Sequence, residues 1–155
     1  MCSRVLTRGP LIQNPNSLSS EATILWWTDA AGDSTVEYGV TSALGNTVSV
    51  SQAASCEVGA AGTCHAVPLT GLQPGTRCYY QLKTNGAVVV PASAATYFTT
   101  ALDTESPADL VFTVVGDWGY GSAAYYDVAG NQNAADAPMV FTVGDNAYQN
   151  GTQSD

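Results

Sequence analysis

Two apolar runs, Asp109-Leu-Val-Phe-Thr-Val-Val-Gly-Asp117 and Ala137-Pro-Met-Val-Phe-Thr-Val-Gly-Asp145, both close on Gly-Asp, and the second continues as Asn146-Ala147-Tyr148. Neither run alternates polar with apolar residues, so each reads as a strand of a parallel sheet buried on both faces. The 18 residues from Trp118 to Ala135 are enough for the crossover that parallel strands require. Within them Ser122 to Ala135 reads as a helix, although Gly130 and three Asn and Gln residues dilute its apolar face. Open parallel sheets place their ligands beyond the carboxyl ends of the strands. Asp117 and Asp145 both lie at that edge, and two carboxylates aimed at one point repel unless a cation sits between them. One Gly-Asp ending commonly does no more than start a turn or cap a helix. Two such endings, with Tyr148 three residues after the second, favour a metal, because a highly charged cation held by carboxylates also takes a phenolate.

Charge narrows the partners. The chain has 155 residues, of which 45% are hydrophobic and only 11% charged, with a net charge of −9. That composition is globular, with room for one or two small domains. Its four basic residues, Arg4, Arg8, Arg77 and Lys83, all precede residue 84, whereas Asp103, Glu105, Asp109, Asp117, Asp127, Asp136, Asp145 and Asp155 follow it. This balance argues against nucleic acid as a partner and requires bound metal before an anionic substrate is tolerated. No apolar stretch is long enough for a membrane span, and residues 1–20 lack a signal-peptide core. Cys2, Cys56, Cys64 and Cys78 lack the paired spacing of a zinc site. Cys56 and Cys64 flank a Gly- and Ala-rich loop, where both a disulfide and two unbonded thiols remain open readings. A disulfide would point to an oxidising compartment.

From residue 9 to about residue 100 the pattern is different. Strand-like segments at 23–28, 34–38, 47–50, 66–69, 78–83 and 95–99 are separated by Gly, Asp, Asn and Pro clusters, which predicts an antiparallel β-sandwich. In Cys78 to Lys83 the alternation puts Cys78, Tyr80 and Leu82 on the core face. The polar linker 101–108 then predicts two domains, 1–104 and 105–155. His65, the single histidine, is expected as a partly exposed strand residue.

Trp26 in an early strand and the turn Leu72-Gln-Pro-Gly-Thr-Arg-Cys78-Tyr-Tyr80 resemble a fibronectin type III domain. Cys78 stands where that family usually has a tyrosine whose hydroxyl ties the corner to the backbone. Arg8-Gly-Pro-Leu-Ile-Gln13 resembles the opening of the variant of this domain that precedes some secreted phosphatases. Gly116-Asp117-Trp118-Gly119 and Gly144-Asp145-Asn146-Ala147-Tyr148 resemble the first two motifs of the purple acid phosphatases, within the calcineurin-like metallophosphoesterases. The bacterial phosphatase-D type shares the Asp-x-x-Tyr pattern, but its first motif does not usually read Gly-Asp-Trp-Gly.

The resemblance implies a fibronectin type III-like β-sandwich followed by the first strand-helix-strand of an α/β metallophosphoesterase domain. It implies hydrolysis of phosphate monoesters at a dinuclear centre of Fe(III) and a divalent Fe, Zn or Mn ion. Asp117 would bind the iron, Asp145 would bridge both metals, and Tyr148 would bind the iron. It also implies a secreted or extracytoplasmic protein. The family completes its site with histidine motifs downstream of the tyrosine, and His65 matches none of them. The chain is therefore expected to be a front piece with roughly half of the site, inactive alone, and residues 107–155 are expected to be loose in isolation. The competing expectation is a non-catalytic sandwich binding module with a remnant tail.

Overall fold

In the computed structural model the first eight strands build two antiparallel layers, with inward-outward alternation clearest over Arg77–Thr84. The structure describes residues 4–13, 17–51, 62–109, 111–117, 123–135, 137 and 139–144. The chain divides into two units, Met1–Ser106 and Pro107–Asp155.

In the first unit, β1 (Leu6–Gln13), β2 (Ala22–Thr28) and β5 (Thr63–Leu69) form one sheet in the order β1-β2-β5. The second sheet runs β4 (Asn46–Val50), β3 (Ser34–Gly39), β6 (Arg77–Thr84) and β7 (Ala87–Val90), with β8 (Tyr97–Thr99) also paired to β6. All of these pairings are antiparallel. Two strands escape the sequence reading. β1 runs through the Gly9-Pro10 step, with register irregularities between Leu6 and Arg8 and between Arg8 and Leu11. β7 follows a tight turn in which Asn85 and Gly86 take φ of 50° and 73°. Asn-Gly between two apolar segments is the hairpin signal that would have revealed it.

The core is what the alternation dictates. Ile24 and Trp26 of β2, Val67 and Leu69 of β5, Val36 of β3, Phe98 of β8 and Cys78, Tyr80 and Leu82 of β6 pack together between the sheets. Cys78 is a free thiol, and burial pushes its pKa up. The expected tyrosine hydroxyl at this corner is replaced from another strand end. Thr100, nearly inaccessible, accepts from the Thr76 amide at 2.9 Å and donates to the Gln73 carbonyl at 2.6 Å. Thr100→Val keeps the shape and leaves both partners unpaired, so it is expected to cost about 1–3 kcal/mol, against under about 1 kcal/mol for Thr100→Ser. Urea midpoints of the two variants measure the difference.

His65 corrects the expectation of a partly exposed strand residue, for it is fully buried. Its neighbours on β5, Cys64 and Ala66, face the other side of the sheet, which turns the histidine inward with Val67 and Leu69. Thr28 Oγ1 lies 2.7 Å from Nε2, Ser34 Oγ lies 2.8 Å from Nδ1, and the Trp26 ring stacks on the imidazole at 5.0 Å. Inward threonine and serine hydroxyls make the burial tolerable, since both ring nitrogens are satisfied.

The second unit holds β9 (Thr113–Val115), α1 (Ala123–Ala134) and β10 (Val140–Thr142), with β9 and β10 paired in parallel. Strand, crossover helix and parallel strand therefore come in the expected order. Both runs have the composition of buried strands, and, as expected for so short a unit, their apolar faces stay open. Val111, Phe112, Val114, Val140, Phe141 and Val143 are 47–69% exposed. Two three-residue strands with one helix have too little surface to cover them, and Phe112 and Phe141 meet only edge to face at 5.3 Å.

Candidate functional site

The parallel ladder sets the geometry of the strand ends. Thr113, Val114 and Val115 pair with Val140, Phe141 and Thr142, and the Val143 amide donates to the Val115 carbonyl at 2.9 Å. One step further the Asp117 amide donates to the Gly144 carbonyl at 3.3 Å. Gly116-Asp117 and Gly144 thus leave adjacent strands side by side, and Asp145 is the next residue in the sequence after Gly144.

Gly116 packs closely against the neighbouring strand: a Cβ there would come within 2.9 Å of Val143 Cγ2, so a side chain at this position would have to displace that exposed methyl. Asp117 takes φ of 54°, a left-handed conformation uncommon outside glycine, although Asp adopts it more readily than most residues. Non-glycine residues in this region cost free energy and concentrate at functional sites. A carboxylate on such a bend, at the carboxyl end of a parallel strand, is chemically suited to a hard cation.

Of the other expected site residues, Asp145 and Tyr148 lie outside the described residues, as do Trp118 and Gly119 of the first motif. Tyr126 is an exposed side chain of α1. No group of three or more metal-ligating side chains occurs among the described residues. Cys64 is in a disulfide, and Cys56, its expected partner, lies outside the described residues. His65 is sealed in the sandwich core and has no access to a ligand. Sequence reasoning missed the hydroxyls of Thr28 and Ser34 on its ring and that of Thr84 on the stacked Trp26. Their only signal was polar residues at core-facing positions of β2, β3 and β6.

The family profile for the purple acid phosphatase N-terminal domain matches residues 10–100, more than half of the chain. The chain belongs to this family. In this purple acid phosphatase N-terminal domain protein the matched residues are those of the two-layer sandwich. No curated protein sequence matches the chain. Among solved structures it is similar to a purple acid phosphatase, PPD1, isolated from yellow lupin (Lupinus luteus) seeds. That likeness has 20% identity and a TM-score of 0.62 over 96% of this chain and 30% of the lupin chain. It is also similar to PhoD, with 16% identity and a TM-score of 0.56 over 92% of this chain and 28% of PhoD. Both likenesses concern the fold. The chain spans less than a third of either of those proteins. No helix among the described residues is long and apolar enough to cross a membrane.

Proposed function

We propose that this chain is the front part of a metal-dependent phosphomonoesterase of the acid phosphatase type, acting on phosphate esters outside the cytoplasm. The observation that carries the reading is Asp117, held at φ of 54° where β9 ends beside β10. Membership of the purple acid phosphatase N-terminal domain family supports it. The disulfide at Cys64 supports an oxidising compartment.

Asp117, Asp145 and Tyr148 would hold the Fe(III) of a dinuclear centre whose second ion is Fe, Zn or Mn. Two carboxylates and a phenol are a hard donor set that fits such an ion. When bound, the metals supply Lewis-acid stabilisation of a transferring phosphoryl group. The residues of this chain contribute position. The short parallel ladder sets Gly116 and Asp117 beside Gly144, from which Asp145 would follow, and the left-handed turn fixes the backbone from which the Asp117 carboxylate departs. The Tyr148 phenolate is expected to give a visible charge-transfer band when the full-length protein binds Fe(III). Tyr148→Phe should abolish that band with the protein still folded, and an unchanged band removes the tyrosine from the site.

The family match covers the sandwich, residues 10–100, and a second reading is that this sandwich binds a partner without chemistry. Metal-independent binding of a ligand by the sandwich, with no phosphatase activity in the full-length protein, would establish it.

A further inference from the structure

The hydrogen bonds around His65 determine its protonation. The Thr28 hydroxyl has one proton, and that proton goes to the Ala30 carbonyl at 2.8 Å. At the 2.7 Å contact between Thr28 Oγ1 and His65 Nε2 the ring is therefore the donor. With Nε2 protonated and the ring neutral, Nδ1 accepts from the Ser34 hydroxyl at 2.8 Å. His65 belongs to β5 and Thr28 to β2, in one sheet, whereas Ser34 opens β3 in the other. The imidazole is thus a polar tie between the two layers, and His65, Thr28 and Ser34 are all fully buried.

We infer that this tie is a proton-sensitive latch: the neutral imidazole pins β5 to β3 across the sandwich, and proton uptake at Nδ1 releases it. A proton on Nδ1 confronts the Ser34 hydroxyl, which must turn its own hydrogen away into a site closed to water. The resulting charge sits inside the sandwich, and no carboxylate is hydrogen-bonded to the ring among the described residues. β2 presents Thr28 and the Trp26 face, β3 presents Ser34, and β6 contributes Thr84, which accepts from the Trp26 indole at 3.2 Å. None of these titrates near neutrality. The charged groups that act on the ring are Arg4, ahead of β1, which opposes its protonation, and Asp33, just ahead of β3, which favours it. Burial, the largest influence, also opposes it and holds the imidazole below its ordinary value of 6.5.

The unfolded chain therefore binds this proton at a higher pH than the folded one. The stabilisation is complete above about pH 6.5 and is lost as pH falls, with the unfolding equilibrium constant rising up to tenfold per pH unit until the folded-state pKa is reached. His65 is the single histidine, so comparison with a non-titrating variant isolates its contribution.

The test is urea unfolding of the full chain at pH 7.5, 6.5 and 5.5, with NMR of the imidazole carbon-bound protons in the native state. The expected result is a rise of up to about tenfold in the unfolding constant between pH 7.5 and 5.5, about fivefold of it below pH 6.5, while the native ring signal stays that of a neutral imidazole. His65→Gln, which keeps a donor and an acceptor without titrating, is expected to flatten the pH dependence. A ring that titrates near 6.5 in the intact fold overturns the latch, and so does an equal pH slope in His65→Gln. If that variant does not fold, the native ring titration alone decides.

Discussion

Trp26→Ala is expected to leave the sandwich largely unfolded at 37 °C, the largest stability effect of any single substitution considered for this unit. Trp26 is fully buried at the centre of β2 and packs in the core shared by both sheets. Its indole N–H donates to Thr84 Oγ1 at 3.2 Å, and its ring stacks on His65 with an interplanar angle of 12°. Removing the ring leaves a cavity that strands on both sides cannot fill without breaking their ladders, a loss of about 3–5 kcal/mol for truncation of a buried aromatic. Thr84, itself fully buried, loses its donor, and an unsatisfied buried hydroxyl adds about 1–3 kcal/mol. Domains of this size are stable by only about 5–15 kcal/mol, so the two losses together consume most of the margin.

Far-UV circular dichroism during urea titration measures the effect. The midpoint is expected to fall by about 2 M or more, given slopes of about 1–3 kcal/mol per M for small domains. Trp26→Phe keeps most of the apolar volume and loses the indole donor, so it is expected to fall between the alanine variant and the wild type. A Trp26→Ala midpoint within 0.5 M of wild type would show that the packing between the sheets is not centred on this ring.

Asp117→Asn is expected to lower phosphomonoesterase activity of the full-length protein by on the order of a thousandfold, equivalent to about 4 kcal/mol of lost transition-state stabilisation. Asparagine preserves size and tolerates the left-handed backbone of Asp117, whose φ is 54°. The substitution therefore removes the anionic oxygen and leaves the turn in place. If Asp117 serves instead as a turn residue, Asn is nearly neutral, and activity and Fe(III) uptake are unchanged. Loss of both, with an unchanged urea midpoint, assigns the carboxylate to the metal. Asp117→Ala is the informative contrast, because alanine pays the left-handed penalty and perturbs the strand end as well as the charge.

Periodicity carried most of the sandwich. Every second residue of Cys78 to Lys83 was readable as core, and Cys78, Tyr80 and Leu82 are buried. β1 was not among the segments read as strands, and the structure carries its Gly9-Pro10 step in an irregular ladder. In the second unit the apolar runs were legible as parallel strands around a helix, and so was the exposure of their faces, because the elements described there offer too little surface to cover them. Residue type states what a side chain prefers, whereas burial depends on how many partners are present to cover it. The position of Asp117 at the end of a strand could be read from the sequence. Its left-handed backbone could not, because Asp in a turn has several conformations open to it and only the neighbouring strand selects one.

His65 separates the two kinds of knowledge most clearly. Local pattern determined which segments become strands, which faces of them are apolar, and that Gly-Asp follows each parallel strand, since all of these depend on residues within a few positions of one another. The tertiary structure alone decided that the hydroxyls of Thr28 and Ser34, 37 and 31 residues away, converge on one imidazole. It alone decided that Thr100 ties a turn 24 residues earlier in the chain. Such contacts depend on which strands become neighbours, and that is set by the packing of two whole sheets, in which no single segment carries the information.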